Sequence, residues 1–519
     1  MEPLLNGLIQ GLQPLTLLLT AVGVVLGLVI AAIPGLTVSL AVVLLLPFTF
    51  YLPPSPALGM LIGVFVGGMA GGAISAVLLN IPGNPASIIT TRDGYPMAKK
   101  GRADHALGIA FLASILGGTF SLLVLCLIAP QIAKFALLFG AAEQAMLVLL
   151  GLTLVAGFSE GSMIRGLISA GLGLGIAMIG LDPITASARY TFDTVEMQQG
   201  ISFIPVMIGM FALPVVIETM VRTRSQPLPP VIPISNALLG VRQAVASLKQ
   251  LWPCIFRSSA IGTTIGAVPG TGSAIAAILS YQYAERLSKN RDIEFGKGNP
   301  EGIAAPEAAN SAMTGGALIP MLILGIPGDP VTAVMLGALL IQGLTPGYTL
   351  FSDSAEIVYG LFASFGISLV LLTLIGLLGV PLFVKVIRIP ARVLMPTIVL
   401  LCIIGSYALQ NSVLDVWVML AAGVLAYYMR RWNYPVLPLL LALILGKIFE
   451  TQFRMSLIIA LGDPLIFFKK PISMVFVLLL VAFLVWTIRR EFLTSQDASW
   501  SSSENSSPLP SNAHEEKGK

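Results

Sequence analysis

Apolar runs of about 18 residues or more, each long enough to cross a bilayer as a helix, recur between residues 15 and 488. Several stop at a Pro-Gly pair. The run 14–33 ends at Ile33-Pro34-Gly35 and is followed by a short run from Thr37 to Leu46. The run 58–79, with Gly63, Gly67, Gly68, Gly71 and Gly72, ends at Asn80 and Ile81-Pro82-Gly83-Asn84-Pro85-Ala86-Ser87. Apolar segments follow near 107–128, 144–158, 162–181 and 201–217. Residues 218–257 change in composition, with a polar Pro-rich patch and an amphipathic stretch that predicts an interfacial helix. Arms at 258–268 and 274–283 then flank Val268-Pro269-Gly270-Thr271-Gly272-Ser273. A charged loop leads into a run ending at Ile326-Pro327-Gly328-Asp329-Pro330-Val331-Thr332, and further segments lie near 357–380, 393–409, 412–429 and 433–449.

The second half therefore replays the first. Pro34-Gly35 pairs with Pro269-Gly270, and Pro82-Gly83 with Pro327-Gly328; Pro183 with Pro435 is a weaker match. The predicted organisation is repeat one over 1–217, a cytoplasmic linker with an interfacial helix over 218–257, and repeat two over 258–450. An extra membrane segment over 451–490 and a disordered tail over 491–519 complete it, the tail being rich in Ser, Asn and Glu.

Charge decides how the halves relate. The loop 48–57 has no charge, whereas its counterpart carries Arg286, Lys289, Arg291 and Lys297. After the second Pro-Gly unit the bias reverses: residues 92–102 are basic, and 345–356 contain no Lys or Arg. The acidic loop Asp182–Glu196 is set against Arg430-Arg431. Basic loops stay in the cytoplasm, so equivalent loops lie on opposite sides and the repeats are inverted. The units at 34 and 269 then read as re-entrant hairpins. Their second arms, about 12 residues or ~18 Å long, reach mid-membrane but not across a ~30 Å core. The units at 82 and 327 read as broken spanning helices, with five net crossings per repeat. The fold class expected is an all-α polytopic membrane protein with two inverted repeats, re-entrant hairpins and broken helices.

Composition narrows the chemistry. The chain is 10% charged, against about 25% in soluble domains. The net charge of +4 sits in a few loops, which fits topology better than nucleic-acid binding. His105 and His514 are the only histidines, which argues against haem, zinc or a buried imidazole relay. Cys126, Cys254 and Cys402 lack paired spacing and read as packing residues. No nucleotide-binding loop or hydrolase motif is present, and no signal-peptide pattern opens the chain. No bound cofactor is expected.

Inverted halves with four helix breaks converging near the midplane are the layout of secondary transporters. Each break frees N–H groups whose dipole favours an anion, and carbonyls that can hold a cation such as Na⁺. Gly35, Thr37, Ser39, Asn80, Gly83, Asn84, Ser87, Gly270, Thr271, Ser273, Asn310, Gly328, Asp329 and Thr332 are the candidate substrate-binding residues. Asp329 and Asn84 are also the candidate Na⁺ ligands. One Pro-Gly pair alone is ordinarily a kink, but two matched pairs with the same polar neighbours favour a site. Asp329 reads equally as a helix cap or as a cation ligand. Glu307, in Ala-Pro-Glu-Ala-Ala-Asn, reads as a first-turn carboxylate at the membrane interface, and Asn310 as a cavity residue. Lys99, Lys100 and Arg102 read as topology determinants. The rivals are a passive anion channel and an intramembrane enzyme, the latter with only Asp329 and Glu307 as acids.

The segments GLVIAAIPG, LLNIPGNPASIITTRDGYPMAKKGRADHALGIA, GAVPGTGSAIAAILSYQYAERLSK and FGKGNPEGIAAPEAANSAMTGGALIPMLILGIPGDP resemble the large membrane subunit of the tripartite tricarboxylate transporter family over roughly residues 15–450. The resemblance implies a multi-pass permease of the bacterial inner membrane. It would work with a small four-helix membrane subunit and a periplasmic solute-binding protein to import di- or tricarboxylates, coupled to Na⁺ or H⁺. It also implies that the Pro-Gly motifs and APEAAN line the site. Asp329 departs from the small neutral residue expected there. An elevator-like motion of the unit carrying the breaks is expected, the tail is expected to be cytoplasmic, and homodimerisation is left open.

Overall fold

The computed structural model describes residues 2–504 except 160–161, 226–229, 235–236, 289–291, 377–378 and 388. It is almost wholly helical. The first part comprises α1 (Glu2–Gly11), α2 (Pro14–Ala32), α3 (Val38–Thr49), α4 (Pro54–Leu79), α5 (Ser87–Met97), α6 (Ala103–Ala136), α7 (Ala141–Phe158) and α8 (Met163–Ala177). A two-stranded ribbon, β1 (Gly180–Leu181) antiparallel to β2 (Ala188–Arg189), leads to α9 (Val195–Gln198) and α10 (Phe203–Ser225). The second part comprises α11 (Ala237–Gly266), α12 (Gly272–Leu287), α13 (Pro300–Leu324), α14 (Pro330–Ile341), α15 (Tyr348–Asp353), α16 (Ala355–Leu371), α17 (Val380–Val386), α18 (Ala391–Gln410), α19 (Val413–Arg431) and α20 (Val436–Ile459). Last come α21 (Ile466–Lys469) and α22 (Pro471–Glu504). Among the described residues, ten helices are long and apolar enough to cross a membrane.

The breaks fall where the Pro-Gly pairs stand. α2 ends one residue before Ile33, Gly35 takes φ 92°, and Thr37 caps α3 by accepting the Leu40 amide at 3.2 Å. Gly270 occupies the same left-handed region at φ 84°, which a residue with a Cβ rarely adopts. α4 stops at Asn80, itself left-handed at φ 59°. α14 opens with Asp329 as N-cap and Pro330 in the first turn, where a missing N–H costs nothing.

Glycine lets the central helices touch backbone to backbone. A Cβ on Gly23 would strike the Met60 carbonyl, and one on Gly27 the Val64 carbonyl. Because the numbers on both helices rise together, α2 and α4 run parallel, so α3 must carry the chain back to the level where α2 began. The second part repeats this: Gly262 abuts the Ala309 carbonyl and Gly266 the Met313 carbonyl, so α11 and α13 are parallel and α12 is the return arm. The contacts coincide residue for residue in the register set by the Pro-Gly pairs. Gly27 on Val64 matches Gly262 on Ala309, Gly71 on Leu28 matches Gly316 on Thr263, and Gly83 on Ala31 matches Gly328 on Gly266. α4 and α13 are buried along nearly their whole lengths.

Several boundaries differ from expectation. No break separates a linker from the second part at 257/258, because α11 runs through it with Pro253 inside. Its amphipathic stretch packs on α6, where Gly240 abuts Asp104, so the stretch is the first half of a hairpin arm. Residues 92–97 complete α5, and the chain then kinks into α6 at Gly101, which is left-handed at φ 77°. Helix α22 continues to Glu504, past the expected start of the polar tail; residues 505–519, and Lys289 and Arg291 of the charged loop, lie outside the described residues.

Candidate functional site

The first broken helix and α13 meet at one carbonyl. Asn84 follows the break, and its Nδ2 donates to the Met69 carbonyl in mid-α4 at 3.1 Å. Asn310 of α13 donates to the same oxygen at 2.9 Å. The site needs glycine at 72, since a Cβ there would collide with the Asn84 amide. Asn84 Oδ1 accepts from the Ser87 amide at 2.9 Å and the Ser87 hydroxyl at 2.8 Å. Both of its lone-pair directions are thereby filled, which turns the oxygen away from a cation. Asn84, Ser87, Asn310 and Gly83 thus form one buried cluster. Around it lie Asn310 Oδ1, Ser311 Oγ and Thr314 Oγ1, all buried and without hydrogen-bond partners. Such groups are costly in a dry interior, and with the adjoining helix break they make this stretch of α13 a candidate place for a polar ligand.

The second break is built as a cap. Asp329 Oδ1 accepts the Thr332 amide at 2.8 Å and its hydroxyl at 2.5 Å, while the Thr332 hydroxyl oxygen accepts the Asp329 amide at 3.0 Å. The Gly270 amide donates to the Gly328 carbonyl at 3.0 Å, tying the two breaks of the second part together. Asp329 and Thr332 are buried, but their bonds run to each other and not to Asn84. Thr37 and Ser39 share a hydrogen bond at the start of α3, and the Thr271 hydroxyl turns back onto the Ile265 and Val268 carbonyls. Ser273 is half-buried in the first turn of α12, and Gly35 is half-buried at its turn. Asn80 is exposed and stands outside the buried cluster.

Glu307 departs from expectation. α13 begins at Pro300, so Glu301 is the first-turn carboxylate, and Glu307 lies two turns in with no exposed surface. It accepts from Thr90 Oγ1 of α5 at 2.5 Å and Ser114 Oγ of α6 at 3.3 Å.

Two polar centres were not anticipated. Asp93 of α5 is buried and gathers the loop before α13. Its Oδ1 accepts the amides of Gly296, Gly298 and Asn299 at 2.9, 2.9 and 2.7 Å, and its Oδ2 accepts the Tyr281 hydroxyl at 2.8 Å. The Gly-Lys-Gly spacing at 296–298 was the available signal, since two left-handed glycines aim successive amides at one anion. Elsewhere, Asp182 caps its own turn through the Ile184 and Thr185 amides and meets Arg454 at 2.6 Å. The Thr185 amide and Arg454 hold its carboxyl well below the usual range. Arg189 forms a two-bond fork with Glu450 at 2.7 and 3.1 Å. Among the described residues no group of three or more His, Cys, Asp and Glu side chains could hold a metal ion.

Ten helices of membrane-crossing length among the described residues, with a buried polar cluster where the first break meets α13, define an all-α, multi-pass membrane protein. The profile of the tripartite tricarboxylate transporter TctA family matches residues 17–441, and the chain belongs to that family. It is therefore a transporter component, the large subunit of a tripartite system, and not an enzyme. Over 473 residues it is 34% identical to the "uncharacterized 52.8 kDa protein in TAR-I ttuC' 3'region" of Agrobacterium vitis, covering 90% of this chain and 92% of that protein. It is 39% identical over 212 residues to the "uncharacterized protein in TAR-II ttuC' 3'region" of the same organism, covering 41% of this chain and 87% of the relative. No solved structure matches the chain.

Proposed function

We propose that this chain is the permease of a cation-driven importer of di- or tricarboxylates in the bacterial inner membrane, with its substrate held where inverted halves bring their helix breaks together. The observation that carries this reading is the recurrence of the same backbone contacts around both pairs of breaks.

Helix directions support the inversion. Gly117 meets Ala308 and Ser121 meets Gly315, so α6 runs parallel to α13. Gly118 meets Leu369 and Leu122 meets Gly366, so α6 opposes α16; Gly59 meets Ser364 and Ser55 meets Gly360, so α16 follows α4. By this chain of contacts α4 and α13 point in opposite senses, as inverted repeats require. The loop charges support the same placement. Lys100 reaches the Lys297 carbonyl at 2.7 Å, joining two segments that both read as cytoplasmic. On that topology α22 runs toward the cytoplasm and its tail is cytoplasmic. The two hairpins then enter from opposite faces, and an elevator-like movement of the broken elements would expose the seam alternately. A carboxylate suits it, because the Ser311 and Thr314 hydroxyls of α13 are buried without partners and the helix dipole at the start of α12 favours an anion. Na⁺ or H⁺ would supply the driving gradient.

Uptake of radiolabelled citrate and smaller dicarboxylates by cells with all three components tests the reading. Saturable, gradient-dependent accumulation is expected. Non-saturating current without accumulation would instead identify an anion channel. Replacement of Pro82-Gly83 and Pro327-Gly328 by Ala-Ala pairs that left uptake intact would remove the assigned site.

A further inference from the structure

Glu307 is a carboxyl group in a fully buried position, and among the described residues no basic side chain pairs with it. Its bonds are two hydroxyls, Thr90 on one oxygen and Ser114 on the other. An ionised carboxylate there would forgo its hydration for two neutral donors, which is a large uncompensated cost. A sodium ion would need several further oxygens in the same space. The flanking α13 residues are Ala304, Ala305, Pro306, Ala308 and Ala309, and the Ala308 carbonyl is closed off by Gly117 of α6. A proton needs no such room.

We infer that Glu307 carries the coupling proton, bound in the closed seam seen here and released when separation of the moving unit from its surroundings lets water into the seam. The inference deepens the transporter reading and rests on it. In the protonated form the Glu307 O–H bond is intact and one carboxyl oxygen still accepts from Thr90 or Ser114. On separation that O–H bond breaks, the proton passes to water, and the carboxylate is hydrated. The position fits coupling, because Thr90 lies one turn beyond Ser87 of the first break and Asn310 lies one turn beyond Glu307. One residue thus touches the helix that follows the first break and shares a helix face with the polar seam.

The titratable groups on the elements around it leave the proton to Glu307. On α5, Asp93 is engaged by three amides and Tyr281, and Arg92 lies over the Tyr281 ring. On α6, Asp104 and His105 are more than two turns before Ser114, and His105 contacts Arg102 and Ser247. α4 contains no titratable side chain, and the one at α14, its cap Asp329, is committed to the Thr332 amide and hydroxyl. α11 supplies Arg242, Lys249, Cys254 and Arg257, with Cys254 against the Glu301 carbonyl and the Arg257 guanidinium bonded to the Pro253 carbonyl. α12 supplies Tyr281, Tyr283, Glu285 and Arg286, and α15 supplies Tyr348 and Asp353.

The test uses the intact transporter in proteoliposomes, with Glu307→Gln as a near-isostere of the protonated acid. Infrared spectra of the purified protein should show a neutral carboxyl C=O band at neutral pH that Glu307→Gln lacks. Using [14C]citrate, the ratio of pH-gradient-driven accumulation to exchange should fall at least about tenfold in the variant. If the variant does not fold, Thr90→Val provides the same test. It should shift that band, and move the pH profile of accumulation by about half a unit or more, the worth of one hydrogen bond. An unchanged ratio, an unaltered carboxyl band, or an unshifted profile in Thr90→Val overturns the assignment. Absence of citrate exchange by the unaltered transporter counts against the carboxylate reading, and the infrared result still decides the proton at Glu307.

Discussion

Asp93 shows how much one side chain can organise here. Three amides and a phenol converge on a buried carboxylate, and a Cβ on Gly302 would collide with its Oδ2. Asp93→Ala would leave those amides buried and unsatisfied, and we expect a loss of about 3–5 kcal/mol in thermal unfolding of the detergent-solubilised protein. Tyr281→Phe removes one neutral donor and should cost only about 1 kcal/mol. Asp329 behaves differently because its bonds are those of a helix cap. Asparagine caps nearly as well as aspartate, so Asp329→Asn should unfold within about 0.5 kcal/mol of the parent. Asp329→Ala should lose about 1–2 kcal/mol. Equal losses for both variants would mean that the charge matters in its own right. For Asp93 the sequence marked only the receiving turn, through Gly296 and Gly298, and not the acid that fills it. Thr-Thr-Arg-Asp-Gly-Tyr-Pro resembles a basic loop, and nothing local says that its acid reaches a turn some two hundred residues on.

At the scale of elements, the helix breaks were the legible part, since Pro-Gly pairs interrupt apolar runs for reasons internal to the backbone. Burial was less legible. Glu307 lies close to a charged loop in sequence, which suggested an interface, but α13 starts at Pro300 and two turns are enough to bury the acid. The helix expected within the linker 218–257 also runs on past its expected end. Arg242, Lys249 and Pro253 look like the end of a soluble segment, yet a helix tolerates them on an exposed face and continues to Gly266. The tight element contacts make a sharp prediction. A Cβ at Gly83 would collide with the Ala31 carbonyl and lie 2.8 Å from Ser75 Oγ, and one at Gly328 would lie 2.7 Å from the Gly266 carbonyl. Backbone oxygens cannot rotate away. Gly83→Ala should therefore cost about 2–3 kcal/mol of thermal stability, with Gly328→Ala milder. Gly171→Ala meets nothing within 4 Å and serves as the control, expected to stay within about 0.5 kcal/mol.

For the whole molecule the proposed inversion has consequences on both faces. The end of α5 with the turn after it and the loop before α13 touch through Lys100 and Lys297, and through Asp93 and Gly298, so they share a face that the positive-inside rule would make cytoplasmic. Asp182 and Arg189 meet Glu450 and Arg454 at the far end of α20 from Arg430-Arg431, which the proposed topology puts outside. Single cysteines at Lys99 or Lys297 should label only from inside, and at Glu196 or Asp353 only from outside. Labelling of Lys297 and Glu196 from the same side would end the inverted reading. The Asp182 network adds a pH signature. Asp182 is held below its unfolded pKa, so its stabilising contribution is fully present above about pH 4, the unfolded value. That contribution is lost only as pH falls on toward the lower folded value. The difference in thermal stability between parent and Asp182→Asn should therefore be flat from pH 8 to about pH 4.5 and shrink below that. A difference that already declined between pH 8 and about pH 6 would mean that the ion pairs with Arg454 and Arg189 do not set the charge on Asp182.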